Sequence, residues 1–376
     1  MTAVTCIVEQ LAEAVAVDDD RTFLPHGGLT KAALARCDGT TQRIDMTAHH
    51  GILTYDPSEF LITARAGTRI AELQAALAEH GQYLPCDPLF GKAGATLGGT
   101  LASGISGSSR LLYGGLRDFV MEVELIDGTG SLVRGGGKVV KNAAGFDLPK
   151  LLVGSYGRLG IITEATFKVF PQPPAFATLK VACKNLAIAL ERSQTLLAKP
   201  LPIAALDLRT TAVTVEPSHW ELLARCGAPA ASLPAVLERM QKLLGCTGDC
   251  LTHQADAMLW QEQAEFAEHP VGENESLLRV AMHPALMTEF DRQLRTLPVA
   301  ATAVYTGGAS VAWVRYQCGA LTEIDRLLSS LKLSGIAVLD CEEQPATQIG
   351  LGQPNWRISA NRIQKALDPR QRFLPY

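Results

Sequence analysis

Apolar residues recur along this chain at two spacings, and the change from one to the other marks most of its elements. Ile7, Leu11 and Val15 repeat on one helix face, and the acidic run Asp18-Asp19-Asp20 leads out of that helix as solvated loop. Thr22 to Pro25 reads as a strand, as do Arg43 to Met46, Ile52 to Tyr55 and, after the Asp56-Pro57 turn, Phe60 to Ala64. Ile70, Leu73 and Leu77 predict a helix that Gly81 stops. Phe119 to Asp127 alternates as a strand, turns at Gly128-Thr129-Gly130 and returns through Leu132 to Arg134. Asn142 to Val153 reads as a helix with Pro149 inside it, and Ile161 to Phe170 alternates again as a strand.

Pro171-Gln172-Pro173-Pro174 reads as a linker. Beyond it the pattern predicts strands at Leu179 to Val181, Ala204 to Leu208, Ala212 to Val215, Leu277 to Ala281 and Ile336 to Leu339. Helices are expected over Leu186 to Leu197, Leu233 to Leu244, Ala257 to Glu268, Met287 to Leu297, Ile324 to Leu331 and Ala360 to Leu367. Val304 and Val311 to Val314 flank a hairpin turn at Gly307-Gly308. This half reads as a small α+β domain.

Glycine changes the picture in the first half. Gly94 to Thr163 holds sixteen of the 33 glycines, in clusters separated by strand-like runs. A glycine cluster brings backbone N–H groups close to a ligand, so this stretch suits loops wrapping an extended anion such as a dinucleotide pyrophosphate. The Pro25 to Lys31 segment, directly after a short strand, offers small residues, a hydroxyl and a lysine. It reads either as a second phosphate-cradling loop or as an ordinary Gly-Gly turn.

Composition bounds the function class. A 47% apolar and 19% charged chain of 376 residues buries a sizeable core in two domains or one large one. A net charge of −4 gives no reason to expect nucleic-acid binding. No apolar run is long enough to span a membrane, and the N-terminal stretch, with Glu9 and Glu13 and no basic start, does not read as a signal peptide. Nine cysteines without framework spacing fit a reducing cytosol.

Familiar catalytic motifs fail. Lys138 is followed by Val139, so Gly135-Gly136-Gly137-Lys138 is not a P-loop. The Gly154 to Gly160 stretch has the wrong spacing for a dinucleotide fingerprint. His49-His50 point to opposite faces of an extended segment, and Cys246, Cys250 and His253 lack a fourth ligand at regular spacing. His219, His253, His269 and His283 are well separated, and nothing local shows them converging. A hydroxy-acid dehydrogenase needs a carboxylate anchor and a base; the second half offers Arg279 and Arg315 for the first, with His283 near Arg279. Two surface arginines and a loop histidine is the plainer reading of the same residues.

Four segments together carry a resemblance: PHGGLTKA from Pro25, ATLGGTLASGISG from Ala95, YGGLRDFV from Tyr113, and KNAAGFDLPKLLVGSYGRLGIITEATFKVFP from Lys141. In order and spacing they resemble the FAD-binding domain of the vanillyl-alcohol oxidase/PCMH superfamily. Within it, His49 to Ile52, YDPSEFLITARAGT from Tyr55 and LPCDP from Leu84 are similar to the FAD-binding E subunits of bacterial glycolate oxidases (glycolate dehydrogenases). The resemblance implies an α+β fold: a two-subdomain PCMH-type FAD-binding domain over residues 1–171, a smaller α+β domain over 175–350, and a C-terminal segment, 351–376, packing back on the first.

It also implies non-covalent FAD, a small 2-hydroxy acid, glycolate, as substrate, and two partners: a larger FAD-binding glycolate oxidase subunit and an iron–sulfur subunit. The expected location is cytoplasmic, peripheral to the inner membrane through the complex. The resemblance has Pro25, His26, Gly27, Gly28, Leu29, Thr30 and Lys31 wrap the pyrophosphate. Thr96, Leu97, Gly98 and Gly99 hold phosphates and flavin from the other side, Ser103, Gly104 and Gly107 line the same channel, and Gly160, Ile161 and Ile162 touch the cofactor. Catalytic dehydrogenases of the superfamily carry a histidine-rich stretch in the second domain. The GGASVAWVR segment at Gly307 has none, so no catalytic base is assigned.

Overall fold

The computed structural model describes residues 3–137, 146–210, 220–267, 271–272, 274–340 and 349–376. The expected strand Ala212 to Val215, the start of the expected helix at Asn142, Glu268 at the end of another, and His219 and His269 lie outside the described residues.

The first half folds in two parts. Helix Ala3–Ala16 packs beside a parallel pair of strands, Thr22–His26 and Thr41–Asp45. Val15, Phe23, Ile44 and Met46 form their small core with Ile126 and Ile161. The second part is a five-stranded sheet in the order Ile52–Asp56, Leu61–Arg65, Ile161–Lys168, Val120–Ile126, Leu132–Gly136, antiparallel throughout. Helix Ile70–Ala78 buries Ile70, Leu73 and Leu77, the spacing that the sequence predicts.

One element in this half departs from expectation. Leu97–Ser103, inside the glycine-rich stretch, is an α-helix rather than loop. Thr96 caps it by accepting from the Gly99 N–H, and Gly104, at φ 65°, closes it in the left-handed conformation. Gly98 and Gly99 are therefore helical. Glycine at 98 serves packing: an added Cβ would lie 2.7 Å from the Ala66 Cβ, so the helix sits close on the end of strand Leu61–Arg65.

After Pro171 the chain enters a nine-stranded antiparallel sheet. Its order is Asp249–Thr252, Ala175–Cys183, Trp220–Ala228, Ile203–Thr210, Ala301–Thr306, Val311–Gln317, Glu275–Ala281, Ser334–Leu339, Gly350–Gly352. Trp220–Ala228 escapes the sequence pattern because both its faces are covered. Leu222 and Ala224 face the main core and Leu223 packs with Ala205, Leu259 and Trp260 on the other side, leaving no polar alternation to read. Helices Leu186–Leu197, Leu233–Leu244, Pro284–Arg295 and Leu321–Ser330 contribute to the main core of this sheet, and His253–Glu265 supplies Leu259 and Trp260 to the small cluster on the opposite face.

The tail runs back to the first half. After helix Arg357–Leu367, Phe373 bridges Phe23, and the buried Arg372 donates to the carbonyls of Val15 and Asp19. Gln364 donates to the Arg158 carbonyl at 2.9 Å, and Arg158 in turn to that of Pro375, also at 2.9 Å. Among the described cysteines, Cys318 is disulfide-bonded, whereas Cys37, Cys86, Cys183, Cys226, Cys246 and Cys250 are free.

Candidate cofactor site

Three segments meet where the two parts of the first half face each other: the loop after strand Thr22–His26, the capped start of helix Leu97–Ser103, and the turn at Gly157. Between them run two narrow lobes of about 70 and 40 Å³. Both lobes are lined by Pro25, His26, Gly27, Thr96, Gly99, Ala102 and Gly157, so they belong to one cleft. One lobe adds Gly28, Leu29, Thr30, Lys31 and Ser103; the other adds Gly98, Gly160 and Ile162. All of these but Ala102 and Gly157 are residues that the sequence predicts, brought together in one groove.

Four of the predicted residues stay outside it. Leu97 is 3% exposed and belongs to the core beneath the helix. Ile161 is fully buried on the opposite side, against Val15 and Phe23, because alternation along the strand turns only Ile162 to the cleft. Gly104 and Gly107 line other cavities, Gly107 beside Asp87 and Gly104 next to Gly154, so neither reaches the groove. Sequence reasoning missed Leu34, Ala35, Met46, Ala66, Ala102, Tyr156 and Gly157 in the lining. Tyr156, at φ 53°, and Gly157 sit in the segment whose glycine spacing fails the dinucleotide fingerprint, which is why spacing alone does not find them.

The chemistry of this groove suits an anion. No carboxylate side chain lines either lobe among the described residues. Its cation is Lys31, 7% exposed, with Nζ 5.3 Å from the centre of the Phe90 ring. Burial pulls its pKa down to about 8, opposed by the charge of Glu265. The loop fits only glycine at its tip: a Cβ on Gly27 would collide with the Thr96 hydroxyl and one on Gly28 with the Gly94 carbonyl. His26 turns its Nδ1 to the Gly27 carbonyl at 3.1 Å, beside the loop backbone. A phosphate-bearing dinucleotide fits a groove of this make-up: a glycine-rich wall, one amine and no acidic side chain among the described residues.

A second, larger space of about 570 Å³ adjoins the cleft through Ser103 and Tyr156. Arg110, Arg279, Trp356 and Tyr376 line it. The two candidate carboxylate anchors part company here. Arg315 stands 3.7 Å from Glu275, whereas Arg279 has its Nε buried without a partner. His283 does not line this space; its Nδ1 accepts from the Ala285 N–H and caps helix Pro284–Arg295.

Across the seam between the halves lies a third cavity of about 320 Å³, with Asp87, Asp207, Arg225 and Trp260 in its wall. Burial raises both carboxyls, Asp207 to about 7. Asp207 accepts from the Ser108 hydroxyl on one oxygen and from the Gly307 N–H on the other. Nearby, Glu265 at the end of helix His253–Glu265 accepts from the Lys92 and Ala93 amides at 2.8 and 3.2 Å, clamping the loop that leads to Thr96.

Comparisons with known proteins agree with this geometry. Two solved structures of alkyldihydroxyacetonephosphate synthase match 99% and 98% of this chain and 74% of their own, with TM-scores of 0.67 and 0.69 at 17% identity, a likeness of fold. The glycolate oxidase subunit GlcE of Escherichia coli (strain K12) is 41% identical over 204 residues, 53% of this chain and 56% of that one. The glycolate oxidase subunit GlcD of Bacillus subtilis (strain 168) is 31% identical over 186 residues, 49% of this chain and 39% of the relative. A D-lactate dehydrogenase of Anaerostipes hadrus is 36% identical over 143 residues, 38% of this chain and 30% of its own length. The chain thus spans about half or less of the length of the curated relatives it matches. Residues 8–136, which supply both the Pro25 to Lys31 loop and the Leu97–Ser103 helix, match the FAD binding domain family.

Proposed function

We propose that this chain is the FAD-carrying subunit of a complex that oxidises a small 2-hydroxy acid, glycolate, to the 2-oxo acid. The observation that carries this reading is the acid-free groove of Pro25 to Lys31, Thr96 and Gly99 within the FAD binding domain match. The likeness to GlcE and GlcD supports the choice of substrate and of a multi-subunit assembly. In this reading the Pro25 to Lys31 loop and the Thr96 to Gly99 turn of helix hold the diphosphate, and Lys31 supplies the neutralising charge. Gly160 and Ile162 cover the cofactor from the other side, and the FAD is held without a covalent bond.

Bound FAD would supply the acceptor for the hydride that leaves the hydroxyl-bearing carbon. The partners are a larger flavoprotein subunit and an iron–sulfur subunit that carries the electrons onward. The complex works in the cytoplasm, peripheral to the inner membrane. Residues 1–171 form the cofactor domain, 175–350 the covering domain, and 351–376 a strap returning to the first.

The test is co-purification. A tagged chain expressed with its neighbouring gene products should bring down a second flavoprotein and an iron–sulfur protein, and the assembly should reduce a dye acceptor with glycolate. A chain that purifies alone under those conditions, with no glycolate-dependent reduction in any mixture, would reject the complex.

A further inference from the structure

Several buried or half-buried arginines in this fold are paired with carboxylates. Arg36 meets Asp340, Arg209 meets Glu221, and Arg225 meets Asp256, each at 2.8 Å. Arg279 departs from that pattern. It stands in strand Glu275–Ala281, opposite Trp313 on one side and Ile336 on the other. Its side chain enters the 570 Å³ cavity, and its Nε is buried with no hydrogen-bond partner. Arg110 lines the same cavity, and neither arginine has an ion pair among the described residues. Burial first, and then the charge of Arg110, pull the Arg279 pKa down, as expected of like charges lining one cavity.

The rest of the lining does not neutralise them. Asp118 is its one carboxylate side chain, and its Oδ2 is engaged by the Gly115 N–H at 2.8 Å. The backbone oxygen of Tyr376 already accepts from Arg357, at 3.2 Å. The wall is otherwise largely apolar or hydroxyl-bearing, with Leu151, Ile336 and Trp356 beside Tyr156 and Tyr376. A half-buried guanidinium with an unpartnered Nε and no counter-charge favours an anion, and a planar fork of donors matches a carboxylate in two parallel hydrogen bonds. The cavity shares Ser103 and Tyr156 with the cofactor cleft, which sets an anion held here beside the cofactor groove.

We infer that this cavity is an organic-anion site belonging to the chain itself, in which Arg279 anchors the carboxylate of a small 2-hydroxy acid and Arg110 supplies a second cation. The inference rests on the proposed oxidation of such an acid. It goes beyond that reading by giving this subunit its own binding place, independent of any partner.

The experiment uses oxalate, an unreactive two-carbon dianion, as probe. The purified full-length chain is titrated by calorimetry and by the fluorescence of Trp356 and its neighbours, with FAD content measured in every sample. Saturable oxalate binding is expected in the wild type. It should weaken by about 100-fold in Arg279→Gln, be partly restored in Arg279→Lys, and weaken less in Arg110→Gln, with FAD content unchanged. Absence of saturable binding in the wild type, or equal binding in Arg279→Gln, overturns the inference. So does loss of FAD from folded Arg279→Gln, which would give the guanidinium to a cofactor phosphate. If Arg279→Gln fails to fold, the decision passes to Arg110→Gln, where unchanged oxalate affinity counts against the site. A wild type that binds oxalate through Arg279 but never holds FAD supports the anion site and rejects the cofactor reading instead.

Discussion

Lys31 and Asp207 are buried ionisable groups whose titrations test opposite signs. Lys31 has its pKa lowered to about 8, so the free protein carries the cation at neutral pH and loses it above that value. Binding a diphosphate then requires a proton to be taken up. FAD affinity should fall from about pH 8 upward, by at most tenfold per pH unit, and Lys31→Arg should flatten the dependence. Fluorescence titration of the apoprotein with FAD across that range measures it. Asp207 has its pKa raised to about 7. The folded chain holds a proton there that the unfolded chain gives up at about pH 4, so the stabilisation is present in acid and is lost as pH rises towards about 7. Asp207→Asn mimics the protonated carboxyl and keeps partners for Ser108 and Gly307. It should melt like the wild type at about pH 3.5, below the unfolded value, and above it at about pH 8.5 in calorimetric scans.

At the scale of elements, helix Leu97–Ser103 separates packing from binding, because its two first-turn glycines face different neighbours. A side chain at 98 meets Ala66, whereas one at 99 meets only the Thr96 Oγ1, at 3.1 Å. Gly98→Val should therefore lower the melting temperature, and Gly99→Val should lower FAD affinity with a small stability change. Paired melts and FAD titrations separate the two; equal behaviour would mean that the helix does not border the cofactor. Thr96→Ala removes the cap and should cost about 1 kcal/mol.

This helix also marks where sequence reading fails. Helices such as Ile70–Ala78 bury one face, so period and turn residues reveal them. Leu97–Ser103 has glycine where a helix former is expected, since close packing overrides propensity. Trp220–Ala228, covered on both faces, carries no period at all. Part of the groove was legible as glycine-rich loop segments, at Pro25 to Lys31 and after Gly94, whereas the capped helix at Thr96 was not. Tyr156, Ala66 and Arg279 reach their cavities only through tertiary contacts that no local spacing encodes.

For the molecule as a whole, the second half braces the loops on either side of helix Leu97–Ser103 from outside. Glu265 clamps the Lys92 and Ala93 amides, Phe90 donates to the Ala264 carbonyl at 3.0 Å, and Asp207 ties Ser108 to the Gly307 turn. Glu265→Gln should weaken FAD binding by about tenfold, equivalent to about 1.4 kcal/mol, without unfolding either half. The measurement that bears most directly on the cofactor assignment is the FAD content of the purified chain before and after acid precipitation. Stoichiometric FAD, released entirely into the supernatant and lost in Gly99→Val, is the predicted result. A colourless chain that takes up no FAD on reconstitution, or colour that stays in the pellet, would contradict it.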